Sequence, residues 1–230
     1  MASEVASGFQ GFRPELIEFL RDLGNTNTRE WFQAHYDEYQ AYLVEPAREF
    51  VLAMGECLPQ LGADIHAEPR VRGSIFAINR DVRFSRDKTP YKTHVDLWFW
   101  QGNGPSRERP GYFFRLTAET LILGAGMHAF SESALARYRE AILDETHGPK
   151  LDAAVQAIHA HVHGQTYKKV PPGLPAEHPR ADWLRHSGLF AQFEQPSPPQ
   201  VFSAQLTQLC FEQFQRLQPL QQWLVEVLPD

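Results

Sequence analysis

The stretch NRDVRFSRDKTPYKTH, residues 79–94, gathers Arg80, Arg83, Arg86, Lys88 and Lys92 in a chain whose net charge is −6. A guanidinium presents a planar fork of donors that matches carboxylate or phosphate oxygens, so several forks aimed at one point make an anion clamp. Ser85 and Thr89 add hydroxyl donors to the same stretch. A competing use of these charges is internal: Asp81 and Asp87 can pair with the arginines and make the stretch a structured loop. The acidic balance of the rest, 28 Asp and Glu against 22 Lys and Arg, argues against non-specific binding to duplex nucleic acid. Such binding needs a broad basic face that neutralises many phosphates. A compact anion is the better match.

Beyond the basic stretch, His94 and Asp96 stand two residues apart, and His128 follows in GAGMH. Imidazoles titrate near neutral pH and, beside a carboxylate, are natural proton-transfer groups. His94, Asp96 and His128 are therefore the candidate catalytic residues. GAGMH is not a dinucleotide fingerprint, since it lacks the third glycine and opens no helix. HAHVH, residues 159–163, invites a metal reading, with His159 and His163 on one helix face or all three histidines on one strand face. No acidic or thiolate set completes it, and a solvated helix end is expected there. Asp81, Asp87 and Asp96 are poor magnesium ligands amid so many arginines. No metal site is expected, and the residues name no cofactor. Serine elbows, paired cysteines and phosphate-cradling glycine loops are absent from the sequence.

These residues must be held by an ordinary globular scaffold. The chain has 230 residues, 43% of them hydrophobic and 22% charged, enough to bury a sizeable core. Leu16, Phe19, Leu20 and Leu23 repeat at helical spacing after Pro14. Asn27 or Thr28 caps a second helix carrying Phe32, Tyr36, Tyr39 and Leu43. From Ile65 the period becomes strand-like. ADIHAEPRV predicts a weak edge strand, and KTHVDLWFW, GYFFRLT and TLILGAGMHAF predict an antiparallel meander. Helices return with SALARYREAILDE, capped by Ser131 or Ser133, and with PKLDAAVQAIHAHV. VPPGLPAEHPR predicts an irregular connection. A last helix from Pro199 carries Phe202, Leu206, Leu209, Leu217, Leu220 and Leu224, with a bend near Pro219.

The whole reads as one α+β domain over residues 1–230, with a central antiparallel sheet and helices mainly on one face. Alternation along the strands gives that sheet one apolar face and one mixed face. A two-residue turn pairs Arg115 with Ile122 and Phe113 with Gly124. The mixed face then collects Lys92, His94, Asp96, Arg115 and His128, with a hollow expected over Gly124 and Gly126. MASEVASGFQGF shows no secretory pattern and no stretch is long enough to span a bilayer, so a soluble cytoplasmic protein is expected. Cys57 and Cys210 fall in amphipathic helices, where two thiols rather than a disulfide are expected.

SIFAINRDVRFSRDKTPYKTH closely resembles the signature segment of domain-of-unknown-function family 2461, a family of conserved hypothetical proteins. The resemblance extends to GFRPELIEFLRDLGNTNTREWF, GYFFRLTAETLILGAGMHAF and YKKVPPGLPAEHPRADWL. It implies one domain spanning the chain and supplies no activity, cofactor or catalytic residue. Relative to the family pattern, Ala77 stands where arginine is common, Arg86 replaces a lysine, and Arg115 stands where histidine is expected.

The functional expectation is binding of a small phosphate- or carboxylate-bearing ligand by Arg80, Arg83, Arg86, Lys88, Lys92 and Arg115. Phosphoester or acyl chemistry would use His94, Asp96 and His128. The alternative is an interaction module that docks an acidic protein or a structured nucleic acid, with Trp98 and Trp100 exposed as contact residues. Enclosure separates the two: a walled cavity suits a small ligand, and a flat basic ridge suits a macromolecule.

Overall fold

The computed structural model describes residues 8–228; of the segment read for a secretory pattern, residues 1–7 lie outside the described residues. Helix α1 (Pro14–Asn25) starts with proline at its first turn and buries Leu16, Ile17, Phe19, Leu20 and Leu23. Thr28 caps α2 (Arg29–Ala34) by accepting from the Trp31 amide at 3.2 Å, satisfying one of the orphan donors of a helix start. A short helix, α3 (Tyr36–Glu38), passes through a π-helical turn at Tyr39–Val44 into α4 (Glu45–Cys57). Of the stripe expected on these elements, Phe32, Tyr39 and Leu43 are buried, and Tyr36 is exposed.

The sheet has five strands in the order β1 (Val95–Trp100), β2 (Gly111–Leu116), β3 (Thr120–Met127), β5 (His186–Pro196), β4 (His161–Gln165), and every pairing is antiparallel. Arg115 pairs with Ile122 and Phe113 with Gly124, the register expected from the tight turn. That turn is closed by Thr117, whose hydroxyl accepts from the Thr120 amide at 2.8 Å. Leu97, Phe99, Phe114, Leu121, Leu123 and Met127 are buried on the helical side. Helices α5 (Glu132–Leu143) and α6 (His147–Ile158) follow β3, and α5 is capped by Ser131. The long helix α7 (Gln205–Val227) lies against β2, β3 and β5, and α4, α5 and α6 pack on α7. One continuous core results, in the α+β arrangement the sequence predicts. Among the described residues no helix is long and apolar enough to cross a membrane.

Four expectations are corrected. ADIHAEPRV forms no strand of its own; Ile65 and Val71 make only isolated bridges, because this segment turns repeatedly along the edge of β1. HAHVH is a helix end only in its first residue: His159 caps α6 in the left-handed conformation with φ 48°, and His161 and His163 belong to edge strand β4. Strand β5 was not expected at all. The last helix begins at Gln205, after a 3₁₀ turn at Pro199–Phe202 that leaves Phe202 40% exposed rather than in the core; Leu209 is only partly buried.

Candidate functional site

The basic stretch folds as a hairpin-like loop, and that shape divides its charges. Arg80 and Pro90 pair through the backbone (2.8 Å), as do Lys92 and Ile78 (2.8 Å), and Asn79 bridges Tyr91. Asn27, just before α2, clamps the base: its side chain donates to the Tyr91 carbonyl at 2.9 Å and accepts from the Tyr91 amide at 3.0 Å. Phe32 stacks on the Tyr91 ring at 4.1 Å. The base residues Arg80 and Lys92 are thus held against the sheet, and the tip residues project into solvent.

At the base, a cavity of about 480 Å³ opens on the mixed face. Its lining includes Arg80, Lys92, His94, Asp96, Arg115 and His128, with Phe76, Trp98, Phe113 and Ile122 as apolar walls. Five expected site residues from three strand regions therefore meet Arg80 in one place. Arg83, Arg86 and Lys88 do not line it. Arg83 forms a two-point ion pair with Asp81 (Nε to Oδ1 2.9 Å, Nη2 to Oδ2 2.6 Å), and Lys88 donates to the Val82 carbonyl at 2.9 Å. Arg80 itself reaches Asp87 at 2.5 Å and also donates to the Thr89 hydroxyl. The Arg83 hydrogen bonds hold the Asp81 carboxyl down at about 2. The Thr89 amide, then Arg80, do the same for Asp87. Internal pairing therefore consumes much of the loop's charge.

Asp96 is the electrostatic centre of the cavity. Only 13% of its side chain is exposed. Its Oδ1 accepts from Arg115 Nε at 2.7 Å, and its Oδ2 accepts from Lys92 Nζ at 3.2 Å. The His94 Nε2 lies 3.2 Å from the same Oδ2. Burial alone would raise the pKa of Asp96, but hydrogen bonds from His94 and Arg115 outweigh it and hold the carboxyl well below the usual carboxylate range. An aspartate so held is an acceptor and an anchor; it is a poor proton carrier. Because an ionised carboxylate only accepts, the His94 Nε2 carries a proton and donates it to Asp96, and Nδ1 faces away from that contact.

His128 sits at the rim just beyond β3. Its ring packs on Phe190 at 4.0 Å and Phe113 at 5.3 Å. Partial desolvation, then the nearby Arg115 charge, lowers its pKa below the ordinary histidine value. On its far side Phe190 also stacks on His163 at 5.0 Å.

The hollow expected over the glycines is filled. A Cβ on Gly124 would meet the Phe113 ring at 2.2 Å, so that ring lies across the glycine and becomes cavity wall. At Gly126 the backbone itself requires glycine, with φ 125°. The cavity is walled instead by Phe76, whose segment pairs along the outer edge of β1. Trp98 and Trp100 are not exposed, at 8% and 6%. Trp98 donates to the Ser106 carbonyl at 2.8 Å, and Trp100 stacks on His66 at 5.0 Å.

Phe76 and Gln192 line the cavity without having been singled out in the sequence. Gln192 belongs to the unforeseen β5. Phe76 lies in SIFAIN, immediately before the basic run. Among the described residues no group of three or more His, Cys, Asp or Glu side chains is placed to hold a metal ion.

The chain belongs to a family described as conserved hypothetical protein (DUF2461), whose pattern matches residues 15–223. No curated protein and no solved structure matches it.

Proposed function

We propose that the protein binds a small phosphate- or carboxylate-bearing ligand in the cavity on the mixed sheet face. The observation that carries this reading is that Arg80, Lys92 and Arg115 line one walled cavity together with His94 and His128. Asp96 offsets part of this charge and fixes its geometry. Arg115 spends Nε and Nη2 on Asp96, and the Nη1 corner is no part of that contact. The ligand's anion is read by the base of the basic loop and by β2, and the exposed tip takes no part. Inorganic phosphate should therefore raise the melting temperature by mass action. Arg80→Gln and Arg115→Gln should reduce that rise, and Arg86→Ala should leave it intact. A rise that survives both cavity variants and vanishes with Arg86→Ala would move the site to the loop tip.

A second reading, hydrolysis of a phosphoester or acyl bond, is favoured by the His94–Asp96 contact. Asp96 orients the ring so that Nδ1 can take a proton from an attacking water. A broad panel of phosphoesters and esters tests it: turnover abolished by His94→Ala, with phosphate binding kept, supports catalysis. An inert panel leaves a binding protein. The interaction-module alternative has one feature in its favour, the 96% exposed Phe84 at the loop tip between Arg83 and Arg86. It predicts that Phe84→Ala abolishes capture of an acidic partner.

A further inference from the structure

A second cavity, also about 480 Å³, adjoins the first and shares Phe76, Asp81, Lys92, Trp98 and His128 with it. Its own lining adds Arg107 and Arg109 from the β1–β2 loop, with Met127 from the end of β3. Phe76 is the partition. Its ring is approached by two cations, Lys92 Nζ at 4.9 Å and the Arg107 guanidinium carbon at 5.5 Å from the centroid. Such contacts hold a cation and an aromatic ring in register.

The partition is fixed in place. The Phe76 amide donates to the Asp96 carbonyl at 3.0 Å, and the Trp98 amide donates to the Ser74 carbonyl at 2.9 Å. The separation between the two basic lobes is consequently built into the pairing of this segment with β1. Each lobe is lined by arginines, the Asp81 carboxylate that borders both is neutralised by its ion pair with Arg83, and the wall between the lobes is aromatic.

We infer that the two lobes form one bipartite site for an elongated ligand that carries two anionic groups, phosphate or carboxylate, on an aromatic spacer. This rests on the anion-binding reading above and specifies its ligand class. One anionic group is held by Arg115 and Lys92, the spacer lies along Phe76 and Trp98, and the other anionic group is held by Arg107. Linking two weak contacts on one rigid spacer makes the second effectively intramolecular, so affinity rises steeply when spacer length matches the span.

Calorimetric titration of the full chain with benzoate, terephthalate and biphenyl-4,4′-dicarboxylate tests this, with inorganic phosphate as the single-anion reference. One dicarboxylate should bind tighter than benzoate by on the order of tenfold or more. Arg107→Gln should erase that gain and leave benzoate and phosphate unchanged, whereas Arg115→Gln should weaken all four. An unchanged melting temperature of the Arg107→Gln protein shows that the fold is kept, and Phe76→Leu should blunt the gain with every cation in place. If phosphate and benzoate bind but neither dicarboxylate gains, or the gain ignores Arg107, the two lobes are separate and the inference falls. If nothing binds the parent protein, the anion-binding reading falls with it.

Discussion

Asp96 and Arg115 are directly opposed across the β1–β2 ladder, and Arg115 Nε donates to Asp96 Oδ1 at 2.7 Å. Backbone register alone brings them together: the hairpin pairs Val95 with Leu116 and Leu97 with Phe114, and so sets Asp96 directly opposite Arg115. The pair then collects Lys92 and His94 from the end of the basic stretch. Charge and fold are coupled at this point of the sheet.

Asp96→Asn keeps the shape and removes the charge, leaving Lys92 and Arg115 beside each other without a counter-ion. The expected cost is about 1–3 kcal/mol, the usual range for disrupting a buried hydrogen-bonded group, read from urea unfolding at neutral pH. Because the folded-state pKa of Asp96 is depressed, its stabilisation is present above the ordinary aspartate value of about 4 and is lost as pH falls below it. The asparagine variant should lack that acid-dependent component. Equal unfolding curves for the two proteins would remove Asp96 from its central role.

Arg83 makes the opposite case. Its ion pair with Asp81, which also borders the cavity, is solvent-exposed, with 77% of the arginine side chain open, and such pairs add little. Arg83→Ala should leave both the unfolding midpoint and the phosphate-induced thermal shift unaltered. A lost phosphate response would reinstate the loop tip as the anion clamp.

His128 should impose a pH dependence of its own. Desolvation and Arg115 depress its pKa, Asp96 partly opposes them, and His163 adds to the depression. The unfolded chain then binds a proton more readily than the folded one. The stability contributed by neutral His128 is full above the ordinary histidine value of about 6.5 and fades as pH falls through the lower folded value. Melting temperatures of parent and His128→Gln, scanned from pH 7.5 to about 5, should converge toward the acid end. Parallel curves would show that the ring feels neither burial nor Arg115.

Leu123 reports on the other face. It is 2% exposed and pairs with Phe114 and Phe193, so Leu123→Ala should cost about 2–5 kcal/mol. Phosphate affinity measured well below the melting temperature should be unchanged, because the cavity lies on the opposite side of the sheet. A coupled loss of binding would mean that the two faces are not separable.

The three-strand meander was legible because period-two alternation and a tight turn suffice to fix register, and register alone places Asp96, Arg115 and Ile122 on one face. Strand β5 was not. Leu189, Ala191 and Phe193 alternate with Phe190, Gln192 and Glu194, but the run is preceded by Gly188 and followed closely by Pro196, Pro198 and Pro199. Its strand character comes from pairing with β3, a contact between distant parts of the chain. The strand in HAHVH is hidden for the same reason, since β4 pairs with β5 alone. The divided charges of the basic stretch were also beyond reach: the sequence offers Asp81 and Asp87 as partners without saying which arginines they take. The expected hollow is absent because Phe113 fills the space over Gly124 and the β5 backbone closes on Gly126.

The segment that carries Phe76 also lies along the outer edge of β1, through the Phe76–Asp96, Ser74–Trp98 and His66–Trp100 backbone bonds. An unpaired strand edge is a template for association with other chains, and proteins generally cover it. Here the cover and the cavity wall are the same piece of backbone. Displacing this backbone to admit a ligand would strip β1 and expose its edge, whereas entry through the solvent-facing mouth leaves the edge covered.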